Sequence, residues 1–357
     1  MSRRSKLTAL ILAVVALAVV AIVVVAGLNR PGSQDVARDQ QEPQTQPTQD
    51  AGEAPAPVTT PVQCPEPTVR VTTSTELENA LDAARPGDVV GLAAGTYTGN
   101  FTASAEGTAE QPITLCGNAE SILDGGTTDD GYVFHLDNSS YWALQGFTVR
   151  NGQKGVMVDQ STNNLIQGLT VTTTGDEAIH LRKFSTDNRV IGNTISNTGL
   201  RKPKFGEGIY IGTAESNWCD ISNCEPDRSD RNSIEGNTIT ETTSESVDIK
   251  EGTSDGVLRA NTFDGSGIIE ADSWVDVKGR DWVIDGNTGI NSPLDGFQTH
   301  EIIDGWGTDN VFRDNDAQVN GPGLGYSLKP VRDNIVECSN TASAAGEGLS
   351  NEPCTSG

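Results

Sequence analysis

The residues with the most chemistry to offer lie between Ser244 and Lys278. Ser-Glu-Ser-Val-Asp-Ile-Lys occupies 244–250 and Ser-Trp-Val-Asp-Val-Lys occupies 273–278, so one alternating phrase ending in Asp-x-Lys occurs twice. Carboxylates and amines at this spacing suit proton transfer beside an anion. The proton α to the carboxylate of a uronic acid is weakly acidic, so removing it requires a cation on that carboxylate and a base near the ring carbon. Lys250 and Lys278 are the candidate catalytic residues, because a lysine becomes a base when burial or a neighbouring cation lowers its pKa. On adjacent rungs each is expected to depress the other. Glu207, Glu245 and Asp248 are hard oxygen donors of the kind Ca²⁺ takes, which makes Ca²⁺ the expected cofactor.

The elements that must position these groups follow from further copies of the phrase. Gly155-Val-Met-Val-Asp159, Ala178-Ile-His-Leu-Arg182, Gly208-Ile-Tyr-Ile-Gly212, Gly296-Phe-Gln-Thr-His300 and Gly325-Tyr-Ser-Leu-Lys329 all alternate with period two. Successive side chains of a strand point to opposite faces. Val156, Ile179, Ile209, Val247, Val275, Phe297 and Tyr326 therefore make one inward column, and Val158, Leu181, Ile211, Ile249, Val277, Thr299 and Leu328 make a second. The residues between them face out. Asn193, Asn237, Asn261, Asn287, Asn315 and Asn340 recur in Gly-Asn-Thr-like turns, with Phe147 and Leu169 in the equivalent place earlier. A repeat in the low twenties holds only strands and turns, and it buries its apolar face only by stacking on its neighbours. The expected fold is all-β, a parallel β-helix, with stacked asparagines at one corner or asparagines serving only as turn formers.

In this register the last outward column reads Asp159, Arg182, Gly212, Lys250, Lys278, His300, Lys329. A neighbouring column carries His180, Tyr210, Asp248 and Asp276. Arg182, His180, Tyr210, Arg280, His300 and Lys329 are the expected substrate-binding residues. The plainer reading is that opposite charges on neighbouring rungs, about 4.8 Å apart, form cross-strand pairs worth a fraction of a kcal/mol each. Against it stands the placement of the cations in a single column of a chain with net charge -25. A positive strip on a negative protein suits an anionic polysaccharide and gives no footing for nucleic acid.

Leu7 to Leu28 is an apolar run behind Arg3, Arg4 and Lys6, long enough for the ~20 residues of a bilayer span. Residues 1–30 are expected to be an uncleaved signal anchor, or else a cleaved signal, placing the remainder at the cell surface or outside it. Residues 31–62, rich in Gln, Pro and Asp without apolar periodicity, read as a disordered tether, and 63–357 as the folded domain, expected as a monomer. Six cysteines fit export. Six allow fifteen pairings, among which locality favours Cys219 with Cys224, Cys338 with Cys354, and Cys64 with Cys116. One helix is expected, from Ser74 to Ala84, with Thr73 and Glu76 as a capping box and an apolar stripe of Leu77, Ala80, Leu81 and Ala84; it would plug the open first coil. The stretch 213–233, holding Trp218, two cysteines and several acids, reads as an overhanging loop that is either a substrate wall or a neutral excursion.

The opening coils, Asp88-Val-Val-Gly-Leu, Gly95-Thr-Tyr and Pro112-Ile-Thr-Leu, resemble the entry into pectin-lyase-like right-handed β-helices. Ser244-Glu245-Ser-Val-Asp-Ile-Lys250-Glu-Gly-Thr followed by Leu258-Arg-Ala-Asn-Thr-Phe263 resembles a coil of chondroitinase B and the alginate lyases. There a Glu-x-Glu-x4-Lys phrase supplies calcium ligands and the base. Gly206-Glu-Gly-Ile-Tyr-Ile-Gly-Thr213 is similar to the coil before it. The resemblance implies a right-handed parallel β-helix, Glu245 as a calcium ligand and Lys250 as the base. The first Glu of the phrase is Thr243 here, and the next coil carries Lys278 and Arg280. The leading expectation is an exported polysaccharide lyase that cleaves uronate-containing glycan by β-elimination. The rivals are a non-catalytic glycan-binding β-helix of the cell envelope and a hydrolase using paired carboxylates such as Asp248 and Asp276.

Overall fold

A computed structural model describes residues 62–357. The expected signal anchor at 1–30 and all but the last residue of the tether at 31–62 lie outside the described residues. Among the described residues no helix is long and apolar enough to cross a membrane.

The chain winds as a right-handed parallel β-solenoid of about 10 turns. Its three sheets hold eleven, ten and ten strands, and their order climbs the coil with each strand pairing to its equivalents in neighbouring turns. The sheet that matters for function runs from Phe101–Ala103 through Ile179–Arg182, Ile209–Ile211, Val247–Ile249, Val275–Val277 and Phe297–His300 to Gly348–Ser350. Its register is the one the alternation implies. Val156, Ile179, Ile209, Val247, Val275, Phe297 and Tyr326 lie on successive rungs, and so do Met157, His180, Tyr210, Asp248, Asp276, Gln298 and Ser327. The inward members are buried, each contributing roughly 1.5–3 kcal/mol as a Val, Ile, Leu or Phe side chain withdrawn from water.

One expectation about this sheet needs correction. The residues between the inward columns do point away from the core, yet Met157, His180, Asp248, Asp276, Gln298 and Ser327 are all buried. Ion-pair partners cover the two acids: Lys278 Nζ lies 2.7 Å from both Asp248 and Asp276, and His300 Nδ1 lies 2.8 Å from Asp276.

The expected asparagines form a continuous internal ladder. From Asn193 to Asn340 each Oδ1 accepts the backbone N–H of the residue one coil below, and each Nδ2 donates to a buried carbonyl. None of the six has positive φ, so the side-chain amide and not left-handed tolerance selects the residue. A second ladder at another corner, Asn164–Asn188–Asn232 and later Asn310–Asn334, has the same bonding. Helix Ser74–Ala83 is capped by Thr73 Oγ1, which accepts from the N–H of Glu76, while the Glu76 carboxylate takes the N–H of Thr72. Leu77 and Leu81 are buried in the common core. Disulfides join Cys64–Cys116, Cys219–Cys224 and Cys338–Cys354.

Candidate active site

Two excursions break the regular coils beside the strands Ile179–Arg182 and Ile209–Ile211, and a cleft of about 650 Å³ opens between them. Its floor is His180, Tyr210, Glu207 and Lys250. One side is formed by Lys154, Glu177, Arg201, Lys204 and Phe205, and the other by Thr213 to Ile221. The second excursion is fixed from within. Asp227 accepts the N–H groups of Lys183 and Phe184 and the hydroxyls of Thr213 and Ser229, and Trp218 Nε1 donates to Thr213 O at 2.7 Å. The first part of the loop at 213–233, from Thr213 to Ile221, thus lines one side of the cleft.

The floor carries strongly perturbed groups. Burial pushes His180 below the usual imidazole value despite Glu177. Its Nε2–H donates to Gly212 O at 3.0 Å, and its Nδ1 lies 3.5 Å from Glu177 Oε1. The Tyr210 ring packs on it with centroids 4.5 Å apart. Burial, reinforced by Asp248 and Glu207, holds the Tyr210 phenol well above its ordinary pKa, so it is a proton donor and not a resting base. Burial works against ionised Glu177, but Lys154 and His180 outweigh it and bring its pKa to about 2.

The lysines behave differently from the expectation. Burial alone would pull Lys250 down, but Asp248, with Oδ2 at 2.5 Å, and then Glu245 and Glu251 raise it above its ordinary value. Lys278 is raised in the same way by Asp248 and Asp276, and this outweighs the repulsion from Lys250. The two amines do not depress one another into bases because a single buried carboxylate, Asp248, lies between them. The basic column is likewise not a bare strip. Arg182 is bound to Asp159 at 2.7 Å, Lys278 and His300 are consumed by the acids of neighbouring rungs, and Lys329 lies 4.0 Å from Asp295.

Of the expected site residues, Arg182, His180, Tyr210, Glu207 and Lys250 meet in the cleft. Glu245, Asp248 and Lys278 sit beside and beneath Lys250 without lining it. Arg280 pairs with Asp281 and stands over Trp306 at 5.1 Å, and neither it nor His300 nor Lys329 reaches the cleft. Sequence reading passed over Arg201, Lys204 and Phe205. The signal was present in Arg201-Lys-Pro-Lys204, three cations in four residues of an acidic chain.

Donor atoms of Glu207, Glu245 and Asp248 lie within 4.8 Å of one another. Glu207 Oε2 is buried without a hydrogen-bond partner. Burial, and then Glu177, Asp248 and Glu245, push Glu207 well above the usual carboxylate range. Burial and Asp248 likewise raise Glu245. Three converging carboxylates, one with a buried unpartnered oxygen on Glu207, are hard donors that fit a divalent cation. Asp248 would share its oxygens with Lys250 and Lys278, leaving Glu207 and Glu245 as the freer donors.

Comparison with known proteins bears on the family and the fold. The alginate lyase from Paenibacillus sp. str. FPU-7 is 34% identical to this chain, with a TM-score of 0.75 over 80% of this chain and 99% of that one. The chain belongs to the same family as that enzyme. Residues 63–208 also match the family described as Pel9A-like, right handed beta helix region. Pectate lyase PEL9 of Emericella nidulans (strain FGSC A4) is 28% identical over 145 residues; the match spans 36% of this chain and about a third, 35%, of that protein's length. The solved pectate lyase Pel9A, 15% identical with a TM-score of 0.50 over 78% of this chain and 75% of its own, shares the fold. Within the family fold, the cleft described above lies on the sheet that carries the repeated Asp-x-Lys phrase.

Proposed function

We propose that this protein is a polysaccharide lyase that cleaves a uronate-containing glycan by β-elimination in the cleft over Tyr210 and Lys250. The observation that carries the reading is the meeting, in one cleft, of two proton-carrying groups with a cationic wall: Lys250 Nζ lies 4.9 Å from the Tyr210 ring, beside Arg182, Arg201 and Lys204. Arg182 orients the sugar carboxylate. Lys250 takes the proton α to that carboxylate, and the Tyr210 phenol, kept protonated by its surroundings, gives one to the departing glycosidic oxygen. Glu207, Glu245 and Asp248 would hold Ca²⁺, whose charge offsets the sugar carboxylate and the pull of Asp248 on Lys250. Lys278 neutralises Asp248 and Asp276 from below and acts as a positioning residue.

A second reading has one observation in its favour. Lys250 is held as an ammonium by Asp248, which suits a docking surface that binds anionic glycan without turnover. The hydrolase reading loses support, since Asp248 and Asp276 are both buried and both tied to Lys278. Three disulfides favour an exported protein, and the basic-then-apolar N-terminus favours a membrane anchor with 31–62 as its tether. The helix Ser74–Ala83, packed by Leu77 and Leu81 on the first coil, is read as its cap. Incubating the protein with alginate, pectate, chondroitin, heparin and hyaluronan, with and without a chelator, tests the proposal. Ultraviolet absorbance from an unsaturated uronate end is expected with at least one polymer, and retention of a polymer with no absorbance gain establishes the docking surface instead.

A further inference from the structure

The loop between Gly199 and Gly206 has properties that cleavage at Lys250 does not call for. Among the described residues, every lysine and arginine except Arg85, Arg189, Lys202 and Lys204 has an ion-pair partner. Two of the four flank one aromatic ring. Lys204 Nζ lies 4.7 Å and Lys202 Nζ 5.6 Å from the ring centroid of Phe205, a residue 37% exposed at the lip of the cleft. A single exposed phenylalanine is unremarkable by itself. A phenylalanine between two unneutralised ammonium groups, on a chain with twice as many acids as bases, is not accounted for by packing.

The loop is also held rigidly in place. Its backbone N–H groups at Leu200, Arg201 and Lys202 donate to Thr174 O and Gly175 O, and the Arg201 guanidinium grips Asp176. Thr243 Oγ1 donates to Pro203 O at 2.7 Å, and Thr198 Oγ1 donates to Gly206 O at 2.5 Å. A Cβ at Gly199, where φ is +75°, would lie 1.7 Å from Thr243 Oγ1, so the glycine is required for the loop to seat. Thr243 thus stands where the resembling lyase phrase has its first Glu, and here it fastens this loop. Preorganised groups lose little freedom on binding.

We infer that Phe205, Lys202 and Lys204 form a second subsite for an acidic sugar, outside the cleavage position: the ring face packs on Phe205 and the carboxylate lies against the two ammonium groups. The inference rests on the reading of the cleft as the site of an anionic glycan. It implies selection for polymers charged at the residue beyond the bond being broken, and for chains long enough to reach the lip. Rim charges of this kind act on association and its salt dependence more than on chemistry.

The test uses the full chain, with polymannuronate, polygalacturonate and neutral dextran as probes. Calorimetric affinity, KM and kcat are measured over a range of salt concentrations. Lys202→Ala/Lys204→Ala is expected to weaken binding of the acidic polymer that the wild type prefers by roughly three- to tenfold at low salt, the product of two exposed ion pairs. The same variant should flatten the salt dependence, and KM should rise more than kcat falls. Phe205→Ala should weaken binding at all salt concentrations, and Lys202→Arg/Lys204→Arg should retain most of the affinity. Unchanged affinity and salt slope in the alanine pair overturns the subsite even if cleavage proceeds. Loss of acidic-polymer binding in the alanine pair, with a wild type that yields no unsaturated product, leaves the subsite standing and removes the lyase reading. Equal loss of affinity for dextran overturns the charge selection.

Discussion

Truncating Asn237 to alanine tests how the coil that carries Tyr210 and Lys250 is held in register. Asn237 is buried, and its side chain makes four hydrogen bonds of 2.9 Å. Nδ2 donates to Val190 O and Asn261 Oδ1, and Oδ1 accepts from the backbone N–H and the Nδ2 of Asn193. Alanine removes all four. Asn193 Nδ2 keeps Ile166 O, and Asn261 Oδ1 keeps the N–H of Asn237, but the backbone N–H of Asn193 loses the partner that satisfied it. One buried orphan donor costs about 1–3 kcal/mol and each of the three further net bonds about 1, so Asn237→Ala should lose roughly 4–6 kcal/mol. Urea unfolding followed by circular dichroism measures this, with the urea dependence unchanged if the native coil is otherwise intact. A loss below about 1 kcal/mol would refute the claim that the ladder is a net source of stability. Turnover per folded molecule should be nearly unchanged, since the ladder touches no cleft residue.

Several further outcomes follow from the same geometry. Ile249→Asp or Val277→Asp should abolish folding, because each buries an unpaired charge in the stack; soluble, native-like protein would contradict the inward column. Calorimetry should detect Ca²⁺ binding to the wild type and none to Glu207→Gln, and equal binding by both would place the cation elsewhere. Glu177, at about 2 against its ordinary 4.5, is depressed in the folded state, as are Asp159 and Asp276 in direction. Their stabilisation is therefore complete above about pH 4.5 and is lost as pH falls toward 2, so the unfolding midpoint should drop across that window. An acid limb that lies wholly below it would contradict the ion pairs.

The fold was legible because a period of two leaves no freedom: once Val247 and Val275 are inward, Asp248 and Asp276 share a rung pair. The second asparagine ladder escaped notice because its corner is interrupted between Asn232 and Asn310, where no asparagine joins the two runs. Register places a side chain on a face but does not choose its rotamer. Alternation put Lys250, Asp248 and Lys278 together, yet it did not reveal that both ammonium groups turn onto one carboxylate, which reverses the sign of their pKa shifts. The loop Leu200 to Gly206 has no periodicity, and only its density of cations marked it. His300 and Lys329 were placed in the site by column position and Arg280 by its place beside Lys278 in the resembling coil, although the cleft is closed off by two excursions several rungs earlier.

Elimination and hydrolysis differ in whether an oxygen from water enters the products, and that difference tests the central claim most directly. The preferred uronate polymer is digested in heavy-oxygen water by the wild type and by Lys250→Ala, and the products are weighed by mass spectrometry. The account predicts that the wild-type fragment with the new, unsaturated non-reducing end is one water lighter than its hydrolytic counterpart, that the other fragment has the ordinary mass, and that neither new end carries heavy oxygen. It predicts no products from Lys250→Ala, which should still retain the polymer. Heavy oxygen in the new ends, or undiminished cleavage by Lys250→Ala, would contradict it.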